Sequence, residues 1–148
     1  MDKKDKEIFK AYKWARDAVQ LENPHLTKID MELLSNFDYG AAYTVEMKLG
    51  INRRWQEDVM IGSVLAAVRV VSEEDEIVAR GKAIAEGEFH IRLKDFDKEE
   101  MGKRIELQVV PQLLPFLRSS IANASLMLGI PQVSLPTMDI IRSIRRNG

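Results

Sequence analysis

Tyr43-Thr44-Val45-Glu46-Met47-Lys48-Leu49-Gly50-Ile51-Asn52 is the stretch on which the fold class turns. Tyr43, Val45, Met47, Leu49 and Ile51 point one way, and Thr44, Glu46, Lys48 and Asn52 point the other. Side chains alternate along a strand, so this is a strand with one dry face and one wet face. The same period of two runs through Thr27–Leu33, where Ile29, Met31 and Leu33 alternate with Lys28, Asp30 and Glu32. It returns in Ile77–Leu93, with Ile77, Ala79, Ala83, Ala85, Phe89 and Ile91 set against Arg80, Lys82, Glu86, Glu88, His90 and Arg92. Val59–Val71 is apolar on both faces, as a more central strand is.

Short charged links, Arg53–Asp58 and Glu73–Glu76, join the last three runs, which predicts consecutive antiparallel hairpins. Parallel pairing needs a long crossover, and none lies between them. The link from the first run to the second is longer and holds Phe37 and Tyr39. It reads as a crossover over one sheet edge.

Helical spacing brackets the strands. Ile8, Tyr12, Ala15 and Val19 share one face of a helix expected from residue 5 to about 21, which Asn23-Pro24 then stops. From Asp97 the helical period resumes, with Glu100 three residues on as a variant capping box. Pro111 suits a first turn and marks a second helix entry, followed by a stripe of Leu113, Leu114, Leu117, Ile121, Ala124 and Leu128. Pro115 lies in the early turns, and Gly129 is a natural C-terminal cap. Ile130–Pro136 reads as irregular, and Thr137 caps a last short helix. Strands in a run followed by helices give α+β: a four-stranded antiparallel sheet, C-terminal long and short helices, and an extra N-terminal helix.

The composition narrows the function. At 148 residues there is room for one domain, 1–148, with an N-terminal helical extension over 1–24 and a core over 26–145. Twenty-two basic against 23 acidic residues give a net charge of -1, with no global pull toward nucleic acid or an anionic membrane. The absence of cysteine excludes disulfides and thiolate chemistry and fits a reducing cytoplasm, the expected location. No apolar run approaches the length of a membrane span. His25 and His90 lie in unrelated segments, no metal-ligand spacing occurs, and the glycines around Gly62 and Gly81–Gly87 sit in strands and not before a helix. The expectation is a protein that is not an enzyme and needs no cofactor or metal.

What remains is apolar surface. Val59, Ile61, Leu65 and Val71 lie opposite Met60, Val64, Val68 and Val70, so both faces of that strand ask for cover. Either the N-terminal helix supplies it or another subunit does, and large exposed apolar patches mark partners.

Between Pro111 and Asp139 the sequence resembles the SecB export chaperones. Val110-Pro111-Gln112-Leu113-Leu114-Pro115-Phe116-Leu117-Arg118, with Ile121 beyond, is similar to the family's proline–apolar–proline–aromatic–arginine pattern. Gly129-Ile130-Pro131-Gln132-Val133-Ser134-Leu135-Pro136 and then Asp139 resemble its approach to the last helix. Three departures stand out: Met138 where the family has phenylalanine, a near-neutral charge where it is acidic, and the lack of its extended SecA-contacting tail.

The resemblance implies an ATP-independent holdase for unfolded or extended client polypeptides, assembled as a dimer of dimers. It implies client contacts at Phe37, Tyr39, Val133, Leu135, Met138 and Ile141, and a subunit interface at Leu113, Leu117, Ile121 and Leu128. The alternative is a dedicated chaperone or adaptor for one partner, such as an antitoxin or a mobile-element protein, and SecA is a further candidate partner.

Overall fold

The computed structural model describes residues 2–7, 10 and 18–130. Four strands follow one another: β1 (Val19–Leu33), β2 (Tyr43–Gln56), β3 (Val59–Ser72) and β4 (Ile77–Ile91). One long helix, α1 (Lys98–Met127), comes after them. The sheet is wholly antiparallel, in the order β1-β4-β3-β2. The link from β1 to β2 therefore crosses from one sheet edge to the other, as its length requires, while the other two connections are hairpins.

Both tight turns use the left-handed region. Glu57 has φ 58° and Asp75 has φ 61°. The acidic run at Glu73–Glu76 is the second hairpin tip, where Ser72 Oγ accepts from the Glu74 and Glu76 amides at 3.3 and 3.2 Å.

The N-terminal part departs from expectation. Residues 3–7, 10 and 18 are helical, but β1 begins at Val19, so the helix does not reach residue 21. Asn23-Pro24 does not stop a helix. It lies inside β1, where the pairing with β4 shifts register between Glu22 and His25. Asn23 takes φ 52°, a left-handed conformation its short polar side chain tolerates, and the extra residue is absorbed as a bulge. Val19 fits a helical stripe and a strand equally well over so few residues, and pairing with Ile91 decides in favour of the strand.

A second correction concerns Pro111. No new helix starts there: α1 runs unbroken through Pro111 and Pro115 for 30 residues. Each proline withholds one backbone N–H from the i→i−4 ladder, and the helix is bent. Its buried stripe changes phase across them, from Met101, Ile105 and Gln108 to Leu113, Leu114, Leu117, Ile121 and Ser125, with Pro115 itself exposed. Asp97 is the N-cap, its side chain accepting from the Glu99 amide at 3.1 Å. At the other end Leu128 and Gly129 (φ 80°) close the last turn, with the Ile130 amide donating to Ser125 O at 3.1 Å.

The core lies between α1 and the inner face of the sheet. Met60, Val64, Ala66, Val68, Ala83, Ala85 and Phe89 meet Ile105, Leu113, Leu117 and Ile121 there. Small residues on β4 let the helix approach closely: a Cβ on Gly87 would collide with Leu21 Cδ1 and meet Leu113 Cδ2 at 3.3 Å. The helix start is pinned to the β2–β3 turn. Trp55 stacks on Phe96 at 5.8 Å, Lys98 Nζ lies 5.5 Å over the Trp55 ring and donates to Glu57 O at 2.8 Å, and Arg53 reaches Glu106 at 3.6 Å.

The outer face of the sheet is polar, carrying Arg54–Glu86, Arg69–Glu46 and Arg80–Glu32 pairs. The expected need for cover on the outer side of β3 is thus met largely from within the sheet. Ile61 is buried between its cross-strand neighbours Arg54 and Glu88, whose long arms shield it. Leu65 sits between Gly50 and Ile84, and with no side chain on Gly50 it stays 36% exposed.

Candidate functional site

The crossover between β1 and β2 is a small structured unit. It is tied to the sheet by the Leu34 amide, which donates to Val78 O at 2.7 Å. Asp38 turns the chain by accepting from the Gly40 amide at 2.9 Å through its carboxylate, and its own amide donates to the Tyr43 hydroxyl at 2.9 Å. That brings three rings together. Phe37 stacks on Tyr43 with centroids 4.3 Å apart, and Tyr39 meets the Phe37 edge at 5.0 Å and 72°.

Phe37 faces inward and packs on the core, whereas Tyr39 is 70% exposed. The Tyr39 hydroxyl donates to Gly129 O, so the crossover is joined to the last turn of α1. Beside that turn, Leu126 is exposed at 56% and Met127 at 89%. The inner face of the sheet also runs out past the helix at both edges, leaving Ile29 and Leu33 on β1 and Val45 on β2 open to solvent. An exposed aromatic latch, a bare helix end and two open sheet margins are the apolar surface that one copy leaves to solvent. Among the described residues no group of three or more His, Asp or Glu is placed to hold a metal. No helix among them is long and apolar enough to cross a membrane.

Of the residues named from sequence, Phe37 and Tyr39 are brought together, along with the end of α1. Val133, Leu135, Met138 and Ile141 lie outside the described residues. Leu113, Leu117 and Ile121 are fully enclosed between α1 and the sheet of one copy, and Leu128 is partly buried against the same core. The first three have no exposed surface left for a subunit contact in this copy. The sides of α1 that do reach solvent carry Leu107 and Phe116. Tyr43 was legible only as an inward strand residue, yet its ring and hydroxyl organise the crossover. Its spacing from Phe37 and Tyr39 was the available signal.

This architecture, a 1-4-3-2 antiparallel sheet with an edge-to-edge crossover and a long bent helix on one face, is the SecB-like fold. The chain superposes on the Mycobacterium tuberculosis SecB-like chaperone Rv1957, solved in complex with a ChAD peptide from the Rv1956 HigA1 antitoxin. The TM-score is 0.76 at 13% sequence identity, covering 87% of this chain and 96% of that one. A protein of unknown function from Streptococcus agalactiae aligns at TM-score 0.39 and 17% identity, over 80% and 96% of the two chains. No protein-family model and no curated protein matches the sequence. At this identity the likeness establishes the fold.

Proposed function

We propose that this chain is an ATP-independent, non-catalytic holdase of the SecB type that binds unfolded or extended polypeptides in the cytoplasm. The observation that carries the reading is the apolar surface a single copy leaves open at the crossover and the end of α1: Tyr39, Leu126 and Met127. Burying client side chains there contributes about 25 cal/mol per Å², a force without direction and therefore tolerant of sequence. Copies assemble through the open side of α1, where Leu107 and Phe116 are exposed, and through the free edges β1 and β2, toward a dimer of dimers.

The test is suppression of aggregation of a denatured protein without nucleotide. The purified chain should keep the client in solution at near-equimolar ratio, and a Tyr39→Ser/Met127→Ser variant should need about fivefold more protein for the same effect. Unhindered aggregation at several-fold excess would sink the proposal.

A second reading, a chaperone dedicated to one partner, is favoured by one observation: the structural neighbour was solved with an antitoxin peptide. It predicts that a candidate antitoxin segment displaces a random denatured protein and that the reverse competition fails. Export through SecA is the weaker variant, since a net charge of -1 gives no overall acidic field to steer a basic docking partner.

A further inference from the structure

Sulfur is spread unevenly between the inside and the outside of this molecule. The chain has seven methionines and no cysteine, so thioethers are its only sulfur groups. Met60 is fully enclosed under α1, and Met101 is buried near the start of that helix. Met31 and Met47 are half-buried against the core. Met127, by contrast, is 89% exposed on the last turn of α1, beside the exposed Leu126. Met1 and Met138 lie outside the described residues.

A thioether on an unbranched arm adapts to partners of many shapes, which suits a sequence-tolerant apolar surface. The same sulfur, open to water, is the one a dissolved oxidant reaches. With hydrogen peroxide the sulfur lone pair attacks one peroxide oxygen. A sulfur–oxygen bond forms, the O–O bond breaks, and the second oxygen leaves as water. Sulfur loses two electrons and the peroxide gains them, so the step balances with no further reagent. The product is a sulfoxide, polar and chiral where the thioether was apolar. No thiol is present to take the oxidant first.

We infer that Met127 is an oxidation-sensitive switch on client binding: its sulfoxide leaves the fold intact and weakens the surface formed by Tyr39, Leu126 and Met127. The inference rests on the holdase reading and adds a control to that same surface. Burial separates the two effects. A sulfoxide at Met127 stays in water and displaces nothing from the core, whereas at Met60 the same oxygen would have to enter a dry interior. When an apolar client side chain covers Met127, the sulfoxide oxygen must give up its water, so the loss falls on binding and not on folding. Sulfoxide reductases, one for each epimer, reverse the change.

The test treats the purified full chain with hydrogen peroxide for graded times. Peptide masses report the order of oxidation, thermal melting reports the fold, and aggregation of a denatured protein reports binding. Met127 should be oxidised before Met60 and Met101. Chain oxidised at Met127 should melt at the parent's temperature and need about threefold more protein for equal suppression. A mixture of the two reductases should restore the parent's value. Met127→Leu, compared with its own untreated sample, should lose nothing, which separates Met127 from Met1 and Met138.

Four results would each overturn the inference: Met127 oxidised no sooner than Met60, full oxidation at Met127 with unchanged suppression, a loss that tracks a lower melting temperature, or an equal loss in Met127→Leu. All four leave the holdase reading standing. An untreated parent chain that fails to hold the client would instead remove both readings together.

Discussion

The two faces of one sheet follow opposite rules in this protein. On the inner face, β4 offers Ala79, Gly81, Ala83, Ala85 and Gly87 before Phe89, small side chains that bring a helix and a neighbouring strand close. On the outer face, the same strand alternates these with Arg80, Lys82, Ile84, Glu86 and Glu88, held by surface ion pairs. The inner face owes its stability to shape and dryness, and the outer one mostly to exposed ion pairs, each worth little.

That contrast is easiest to break at Phe89, which is fully enclosed. Phe89→Ala should cost about 4 kcal/mol, from lost burial and the cavity left behind, and chemical denaturation would read it as a lower midpoint at unchanged slope. A loss under 1 kcal/mol would mean that the inner face is not the packed one. The contrast is sharpened at Gly50. Its missing Cβ would contact only Leu65 Cβ, at 4.0 Å, so Gly50→Val should stabilise by about 0.5–1 kcal/mol through strand propensity and cover for Leu65. Thermal melting checks the sign, which is opposite to that of Phe89→Ala. The smallest effect is expected at the exposed Arg69–Glu46 pair, where a double-mutant cycle should return about 0.5 kcal/mol, falling with salt. A coupling above about 2 kcal/mol would show that the outer face also carries stability.

Much of this was readable beforehand. The alternation in β2 and β4, the two hairpins, the crossover and the stripe on α1 all follow from side-chain period and connection length. Phe37 and Tyr39 were legible as crossover aromatics. Their closure onto Gly129 was not, because it joins residues ninety apart through a hydroxyl and a carbonyl that no periodicity reports. The start of β1 was misread for the converse reason: over Val19–Glu22 the two periods coincide, and a left-handed Asn23 lets Pro24 sit in a bulge that proline rules alone describe as a break. Pro111 looked like a helix entry, yet α1 runs through both it and Pro115 while packed against the sheet. The outer side of β3 looked bare because cover from neighbouring strands is invisible in one strand's own sequence.

The sequence by itself determined that β2, β3, β4 and the end of β1 are strands, which of their residues share a face and where charge sits along β4, because covalent geometry alone sets that period. Only the tertiary structure decided that β1 lies beside β4, that Leu113, Leu117 and Ile121 are consumed inside one copy, and that Tyr39, Leu126 and Met127 are left outside it. Exposure is what remains after distant segments have packed, and no local pattern contains that remainder.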